Sequence, residues 1–411
     1  MTSAEVGGEL AVGDEVVVQV GPVAHGGHCV ARHEGRVVFV RHTLPGERVR
    51  VRITEAKAGQ RFVRGDAVEV LAASEHRVTP PCPYAGPGLC GGCDFQHVAL
   101  PEQRALKAAV VREQFARLAG IDVAVDVEPV PGDTDGLGWR TRVEFAVTDD
   151  GTPGLRRHRS HDVLAVTDCL IAHDRVRAAG VLGRRWPGER AVDVVAPGAG
   201  ETVVVPVPSG EGAAPVVRET VRAGGWEAGF EVSARGFWQV HPGAAATFVG
   251  AVLEALAPQP GERAVDLYAG VGLFAAALAD AVGESGEVLA VEAEGPAVAC
   301  ARRNVASRPW VELRPGRVER VLKPLVRQGI RADLVVLDPP RTGAGRAVTA
   351  QVAALGPRAV AYVACDPAAL ARDTAYLREA GYGLRSLRGF DAFPMTHHVE
   401  CVAVFEPVAG V

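Results

Sequence analysis

A regular alternation of apolar runs with helical segments, from about residue 262 onward, most constrains the fold of this chain. The apolar runs lie at residues 264–268, 288–291, 334–337 and 360–363. The helical segments between and after them lie at residues 272–282, 296–306, 318–328 and 367–380. Repeated strand–helix units predict an α/β fold with a parallel sheet covered by helices on both faces. Ligands of such sheets bind beyond the carboxyl ends of the strands, so functional residues are expected at that edge.

The chain has 411 residues, which predicts two to three domains rather than one core. We place the boundaries at residues 9–72, 73–235 and 236–411. Hydrophobic residues make up 48% and charged residues 23%, a globular composition that excludes a mainly disordered chain. The formal net charge of -5 does not by itself indicate a nucleic-acid-binding protein.

The N-terminal segment is predicted to form a small β-barrel. Its β-branched runs at residues 16–20, 36–40, 48–53 and 67–71 are separated by Gly and Pro turns, which is typical of a five-stranded oligonucleotide-binding barrel. Residues 31–64 hold nine basic and three acidic residues, and alternation places Arg48, Arg50 and Arg52 on one face. This face either contacts nucleic acid or is the solvated surface of a structural barrel.

The start of the chain does not resemble a secretory signal, because residues 1–20 contain four acidic residues and no apolar core. The longest apolar run has 13 residues, short of the roughly 20 that span a bilayer. We therefore expect a cytoplasmic protein without a membrane partner.

The middle of the chain is predicted to be a mixed α+β region. Residues 101–119 form a helix in this prediction, with Pro101 in its first turn, and this helix is expected to pack on the catalytic domain. A Gly- and Pro-rich loop follows at residues 197–215. The basic run at residues 156–159 is either a solvated loop or an RNA contact.

A glycine-rich turn after the first strand of the α/β region predicts a nucleotide cofactor. Gly270 and Gly272 allow close backbone approach to a ligand, and Glu292 ends the next strand, where a carboxylate binds a ribose diol. Both NAD and S-adenosylmethionine (SAM) carry that diol. Asp266 before the glycines, and the Asp-Pro-Pro-Arg sequence that begins at Asp338, favour SAM, since Asp-Pro-Pro at a strand end is common in methyltransferases that act on planar nitrogen or carbon atoms.

Two residues at the same edge are candidates for the chemistry. Cys365 ends the fifth strand and precedes a helix that begins at Pro367, whose dipole is expected to lower the pKa of the thiol. A thiolate beside a SAM site indicates covalent catalysis, although a buried cysteine is more commonly inert core. Glu400 brings a carboxylate to the start of the last strand, either as a base or as a surface residue.

Three cysteines in the middle region have a metal-site pattern. Cys82, Cys90 and Cys93 follow the spacing C-x7-C-x2-C, which predicts an iron–sulfur site that lacks one ligand. Zinc held by these thiolates and His97 is the alternative that chemistry allows.

Five segments together resemble the bacterial RNA (uracil-5-)-methyltransferases, and the barrel and the cysteines favour those of the 23S ribosomal RNA type.

 

They lie at residues 237–241, 266–274, 337–343, 365–373 and 391–400. Residues 9–71 are similar to the TRAM domain, an RNA-binding barrel. The resemblance implies a class I (Rossmann-like) SAM methyltransferase domain that acts on RNA. It also implies ribosomal RNA as the favoured substrate, tRNA as the second, and a monomer.

The resemblance implies a role for each candidate at the sheet edge. Cys365 matches the nucleophile that adds to C6 of uracil, Glu400 the base that removes the C5 proton, and Asp338 a residue that contacts the target base near the methyl donor. The residues that match cofactor contacts are Gln239, Tyr268, Gly270, Glu292 and Asp338. Glu319 is a candidate for an acidic residue that some members carry after the third strand.

The resemblance also implies a [4Fe–4S] cluster, with Cys169 as the fourth ligand beside Cys82, Cys90 and Cys93. The sequence departs from the family pattern at His241, Ala364 and Ala369, where Asn, Ser and Thr are usual. Two other functions stay open at this point: an RNA-binding iron–sulfur protein without catalysis, and an NAD-dependent oxidoreductase.

Overall fold

The computed structural model describes residues 10–57, 59–207 and 214–408. Residue 9 of the predicted barrel domain, residues 208–213 of the predicted loop and residues 409–411 of the predicted catalytic domain lie outside the described residues. Within the described ranges, no helix is both long and apolar enough to cross a membrane.

The first half of the described chain is rich in strands. Its strands are β1 (Glu15–Ala24), β2 (His28–His33), β3 (Arg36–Arg41), β4 (Arg48–Glu55), β5 (Phe62–Ala72), β6 (Val127–Pro129), β7 (Arg142–Val147), β8 (Pro153–Arg156), β9 (Val163–Ala165), β10 (Ala191–Val195), β11 (Val203–Val207), β12 (Val216–Ala223) and β13 (Trp226–Ser233). Its helices are α1 (Leu100–Gln114), which continues as a π-helical turn (Phe115–Ala119), α2 (Asp174–Ala178) and a 3₁₀ turn (Val181–Gly183).

The second half alternates helices and strands. Its helices are α3 (Ala244–Leu256), α4 (Leu273–Val282), α5 (Gly295–Asn304), α6 (Val318–Arg327), α7 (Gly345–Leu355) and α8 (Pro367–Glu379). Its strands are β14 (Arg263–Leu267), β15 (Glu287–Glu292), β16 (Val311–Pro315), β17 (Leu334–Leu337), β18 (Ala359–Ala364), β19 (Tyr382–Asp391) and β20 (Glu400–Pro407).

The N-terminal strands close into a five-stranded barrel in the order β1-β2-β3-β5-β4, which confirms the predicted architecture. The alternation in β4 is also confirmed, because Val49, Val51 and Ile53 are buried and fill the barrel. Strand β2 was not predicted, since its two buried residues are outnumbered by polar ones.

The arginines on the outer face of β4 are largely paired with carboxylates. Arg50 Nε lies 2.8 Å from Glu69 on β5, and Arg52 Nη2 lies 2.9 Å from Glu15 on β1. These pairs join neighbouring strands across the barrel surface. They leave less free positive charge on this face than the sequence pattern indicates.

Residues of the predicted middle domain contribute to more than one sheet. Strands β7 to β11 form a five-stranded antiparallel sheet in the order β11-β10-β7-β8-β9, and β12 and β13 form a hairpin. Strand β6 instead pairs in parallel with β19 at the edge of the C-terminal sheet. The division at residues 73–235 and 236–411 stays a prediction.

The C-terminal sheet has eight strands in the order β16-β15-β14-β17-β18-β20-β19-β6. Strands β14 to β18 are parallel, whereas β20 runs antiparallel to both β18 and β19. The predicted α/β alternation is therefore confirmed. Its edge brings together the chain segments that follow Leu267, Glu292, Leu337 and Ala364.

The sequence did not predict strands β6, β16 and β19 or helices α3 and α7; β16 and α7 show why. Strand β16 is an edge strand of mixed polarity in which no residue is fully buried. Helix α7 follows the Asp-Pro-Pro segment and buries only Val348, Thr349, Val352 and Leu355. Neither element carries the continuous apolar run that identifies a central strand or a buried helix.

Helix α1 packs on the C-terminal domain, as expected. Phe115 shares a buried cluster with Leu370 and Leu377 of α8, and Arg378 donates to the Ala119 carbonyl oxygen at 2.7 Å. Leu118, within the π-helical turn, is 43% exposed.

A buried ion pair fastens α1 to the end of β19. The Lys107 ammonium lies 2.5 Å from Asp391 Oδ1 and donates to the Phe393 carbonyl oxygen at 3.0 Å. Both side chains are almost completely buried. Burial lowers the pKa of Lys107, and the Asp391 carboxylate opposes that effect.

We predict that Lys107→Met lowers the free energy of unfolding by about 3–5 kcal/mol, since it leaves a buried carboxylate without its partner. Denaturant unfolding followed by circular dichroism measures the change. The double variant Lys107→Met/Asp391→Leu should recover much of the loss, and the exposed Lys323→Met should change stability by less than about 0.5 kcal/mol. A Lys107→Met protein as stable as the parent would contradict the importance of this pair.

Candidate active site

The turn after β14 has the backbone form of a ligand cradle. Tyr268, Gly270 and Gly272 have φ angles of +62°, +55° and +90°. Glycine adopts such angles freely, whereas Tyr268 is held there against its ordinary preference. The turn therefore folds back above the sheet edge and leads directly into α4.

Asp266 fixes the start of α4 from below. Its Oδ2 accepts a hydrogen bond from the Ala275 amide at 2.7 Å. Its Oδ1 is buried without a hydrogen-bond partner among the described residues. Burial raises the pKa of Asp266 well above its ordinary value, so a protonated carboxyl is favoured there.

Glu292 ties the glycine turn to the end of β15. Its Oε2 accepts from the Gly270 amide at 2.8 Å, and its Oε1 accepts from the Ala293 and Glu294 amides at 2.6 and 2.7 Å. The structure thus brings together two residues that the sequence assigned to the cofactor site, Gly270 and Glu292. The Glu292 carboxylate oxygens keep further lone pairs for ligand hydroxyl groups.

The other predicted cofactor residues lie around this turn or in a neighbouring cleft. Burial, Asp373 and Glu319 together raise the pKa of Tyr268 to about 12. Gln239 lines a cleft with Arg175 and Glu219. Tyr268 does not line that cleft. The structure therefore does not place Gln239 and the β14 turn around one cavity.

Asp338, Cys365 and Glu400 meet at the carboxyl edge of β17 and β18. The register pairs Leu337 with Tyr362 and Ala364 with Cys401, so Asp338 and Cys365 lie just beyond paired positions. Glu400 begins β20 beside Cys401 and pairs with Phe390 of β19. The Asp338 amide also donates to the Leu267 carbonyl oxygen at 3.2 Å, next to the cofactor turn. The grouping that the sequence predicted is therefore present.

The three groups favour their protonated forms. Burial raises the pKa of Asp338 to about 7, and burial together with Asp338 raises the pKa of Glu400 well above its ordinary value. Burial, Glu400 and Asp338 raise the pKa of the Cys365 thiol to about 12, and Arg341 opposes this only in part.

The expected lowering of the thiol pKa by the α8 dipole was wrong. Desolvation and two neighbouring carboxyl groups outweigh the helix terminus. In addition, Asp366 Oδ1 already accepts from the Ala369 amide at 2.8 Å, so a carboxylate rather than the thiolate caps the helix.

Asp373 organises the segment that follows Asp338, a role that the sequence did not reveal. This buried carboxylate accepts from the Ala344 amide and the Tyr362 hydroxyl, both at 2.7 Å, and from the Gly345 amide at 3.0 Å. The sequence offered Asp373 only as the end of a motif, with no sign of its partners.

The three departures from the family pattern lie at buried positions. The Ala369 contact with Asp366 uses the backbone amide, which any residue supplies. Ala364 is buried within β18. His241 is buried and stacks on Trp139, and burial lowers the pKa of its imidazole.

A small cavity of about 160 Å³ opens onto Cys365. Its walls come from distant parts of the chain: Ala24, His25, Gly26, Gly27, Phe95, Leu106, Lys107, Val110, Arg341, Asp366, Pro367, His397, His398 and Val399. His397 Nδ1 lies 2.6 Å from Asp94 Oδ2, next to Cys93. The sequence did not identify the barrel residues or Asp94 as parts of this site.

The four predicted cluster cysteines line one separate cavity of about 290 Å³, and Arg140 and the basic run at residues 156–159 line it too. No three His, Cys, Asp or Glu side chains within the described ranges are grouped closely enough to hold a single metal ion. His97 does not support the zinc alternative, because its ring turns toward the barrel, with Nε2 3.3 Å from the Thr43 carbonyl oxygen.

Comparisons with known proteins agree with both ends of this architecture. Residues 9–68 match the TRAM domain family, and residues 213–407 match the family described as tRNA (Uracil-5-)-methyltransferase. A Streptomyces avermitilis protein described as an RNA methyltransferase is 49% identical over 97% of this chain and 99% of its own length. A Bifidobacterium longum RNA methyltransferase is 40% identical over 94% of this chain and 96% of its own length.

A solved structure shares the fold. The Pyrococcus abyssi tRNA (uracil-54, C5)-methyltransferase, in complex with S-adenosyl-L-homocysteine, superposes with a TM-score of 0.68 at 21% identity. The match covers 94% of this chain and all of that one. The chain therefore belongs to the SAM-dependent RNA methyltransferases that join a TRAM domain to a tRNA (uracil-5-)-methyltransferase domain.

Proposed function

We propose that this protein methylates C5 of a uracil in RNA through a covalent adduct between Cys365 and C6 of the base. The observation that carries the proposal is the meeting of Cys365, Asp338 and Glu400 at the sheet edge, beside the cofactor turn. A nucleophile, a hydrogen-bond donor and a base are the groups that this reaction requires.

The bond changes follow from the chemistry of uracil. The Cys365 thiolate adds to C6, and the electron pair of the C5–C6 double bond moves toward C5 and the O4 enolate. SAM, when bound, supplies the electrophilic methyl group that C5 then acquires. Glu400 takes the C5 proton, the double bond re-forms, and the C6–S bond breaks to return the thiolate.

The proposed reaction needs different proton states for the two carboxyl groups, because one acts as a hydrogen-bond donor and the other as a base. A protonated Asp338 donates a hydrogen bond to a base carbonyl and stabilises the enolate. Glu400 acts in its ionised form, and the burial that raises its pKa makes that carboxylate a stronger base for the C5 proton.

In this proposal the cofactor lies over the β14 turn. Glu292 binds the ribose hydroxyl groups, Gly270 gives close backbone approach, and Tyr268 packs beside the ligand. Gln239 contributes from the neighbouring cleft and Asp338 from the base side.

The proposed substrate is ribosomal RNA of the 23S type, with tRNA second. The TRAM domain and the arginines beside the cysteine cavity support a substrate in which the uracil belongs to a folded RNA. The Pyrococcus abyssi neighbour is described as a tRNA methyltransferase, which is the observation in favour of the second substrate. A flipped or unpaired uracil reaches the cavity at a cost of a few kcal/mol.

Incubation of the protein with labelled SAM and transcripts of 23S rRNA or tRNA tests the function. Nucleoside mass spectrometry should find 5-methyluridine in one of the two RNAs. Absence of the product from both, with SAM bound, would favour an RNA-binding protein without catalysis. Binding of NAD without any response to SAM would instead favour an oxidoreductase.

We predict opposite phenotypes for the nucleophile and the base. Cys365→Ala should lower turnover by about three orders of magnitude or more and form no adduct, since no thiolate remains. Glu400→Gln should accumulate an RNA–protein adduct that survives denaturing electrophoresis, because the C5 proton stays in place. Glu406→Gln on the same strand is the matched control, and a Glu400→Gln protein without adduct would remove Glu400 from the base role.

We also predict that Glu400→Gln stabilises the protein increasingly as pH rises. A carboxyl group whose pKa is raised on folding binds its proton more tightly in the folded state, so folded stability falls as pH rises from the unfolded pKa to the folded one. The advantage of Gln should grow by about 1.4 kcal/mol per pH unit from near pH 5. Denaturant unfolding at pH 5 to 8 measures it, and a constant difference would contradict the raised pKa.

The cysteine cavity is proposed to hold a [4Fe–4S] cluster through Cys82, Cys90, Cys93 and Cys169. Each cluster ligand binds its own iron, so the four thiols need to surround a cavity rather than converge on one ion, and all four line one cavity here. The group would have a structural role, because methyl transfer to uracil moves no electrons to or from a metal.

Protein purified without oxygen should contain iron and acid-labile sulfide in equal amounts, and Cys169→Ser should lose most of both. Elemental analysis and the visible absorption spectrum measure this. Cys300→Ser, at a buried cysteine on α5, is the matched control. Stoichiometric zinc without sulfide would overturn the cluster assignment.

A further inference from the structure

The turn between β1 and β2 of the barrel reaches the candidate nucleophile. Residues 24–27 line the same cavity as Cys365 and Asp366. The closest polar contact joins His25 Nε2 to Asp366 Oδ2 at 3.1 Å. A residue of the RNA-binding barrel thus contacts the residue that directly follows the catalytic cysteine.

The fit of this turn depends on a glycine. A Cβ atom at Gly27 would lie 2.6 Å from the Cβ of His397 and 3.2 Å from the Cβ of Asp94, closer than side chains allow. The φ angle of Gly27 is +78°, which also favours glycine. The turn is therefore packed tightly against the loop before Glu400, not merely close to it.

Asp366 connects this turn to the geometry of the nucleophile. Its Oδ1 accepts from the Ala369 amide and caps α8, while its Oδ2 faces His25. A carboxylate held from both sides has one orientation. A peptide bond joins Asp366 to Cys365, so the two residues move together. The His25 contact therefore restrains the position from which the thiol attacks.

The charges around the pair favour an ionised contact. Asp366 raises the pKa of His25 through a hydrogen bond and through charge, and Glu113 on α1 acts in the same direction, while burial opposes both. His25 in turn lowers the pKa of Asp366. Asp366 is one of the charges that disfavour a Cys365 thiolate, along with Glu400 and Asp338.

We propose that His25 is a positioning residue of the barrel, which holds Asp366 and thereby orients Cys365 and lessens the repulsion on its thiolate. The proposal rests on the proposed function of Cys365. It means that the Cys365 thiol is correctly oriented only when the barrel is docked on the catalytic domain. RNA bound by the barrel then has a fixed position relative to the attacking sulfur.

Two substitutions at His25 separate this role from a structural one. His25→Leu fills similar space without a donor, whereas His25→Gln keeps an N–H that can reach Asp366. His33→Ala at the end of β2 is the matched control on the barrel. Kinetics with the methylated RNA should show a fall in kcat of about tenfold for His25→Leu, a change in KM of less than about twofold, and recovery of most activity in His25→Gln.

The outcomes that overturn the proposal are specific. A raised KM with unchanged kcat would make His25 an RNA contact. A His25→Gln protein as slow as His25→Leu, with an unchanged melting temperature, would show that the hydrogen bond to Asp366 is not what matters. If His25→Leu fails to fold, the comparison of His25→Gln with the parent decides.

A second measurement does not depend on methyl transfer. Iodoacetamide labelling of the Cys365 peptide, followed by mass spectrometry, reports the reactivity of the thiol. His25→Leu should slow labelling by about three- to tenfold at neutral pH, because Asp366 is left without its counter-charge. Unchanged labelling would overturn the electrostatic part of the proposal.

This arrangement distinguishes the two possible failures. If neither RNA is methylated but labelling still depends on His25, the proposed function fails and the positioning contact stands. If RNA is methylated but neither kcat nor labelling responds to His25, the function stands and the contact has no role in it.

Discussion

Burial of carboxyl groups at the edge of a parallel sheet is the constraint on which the site depends. Asp266 and Glu400 are buried within β14 and β20, and Asp338 is half-buried directly after the apolar strand β17. An ionised carboxylate in such surroundings is costly, so each group tends to keep its proton until a ligand or a reaction step compensates it. The same surroundings keep the Cys365 thiol protonated, and the arrival of substrate must change that balance before attack.

The periodicity of the sequence was enough to predict the sheet and the position of its functional edge, because apolar runs and helical repeats depend on local composition. It was not enough for β16, whose edge position leaves it partly exposed, or for the α8 dipole, whose effect depends on which group caps the helix. The role of His25 could not be predicted, since nothing in a short glycine-rich turn indicates contact with Asp366, far along the chain.

The cysteine segment and the barrel both brace the loop before Glu400. Asp94 contacts His397 and lies 3.6 Å from Arg41 of the barrel, while Gly27 packs on the same histidine. The cysteine segment therefore occupies the junction between RNA-binding and catalytic parts. A cluster in this position would hold the two parts in a fixed arrangement. Such a structural role requires no redox chemistry.

The pairing of β6 with β19 has a consequence for how the chain folds during synthesis. Val127 hydrogen-bonds beside Gly389, and Lys107 finds its carboxylate partner 284 residues later. The barrel can close as soon as it leaves the ribosome, but α1 and β6 must wait for almost the whole chain. During that interval Lys107 and the edge of β6 lack their partners and are open to solvent and to other chains, so the order of synthesis prolongs the exposure of surfaces that the folded protein buries.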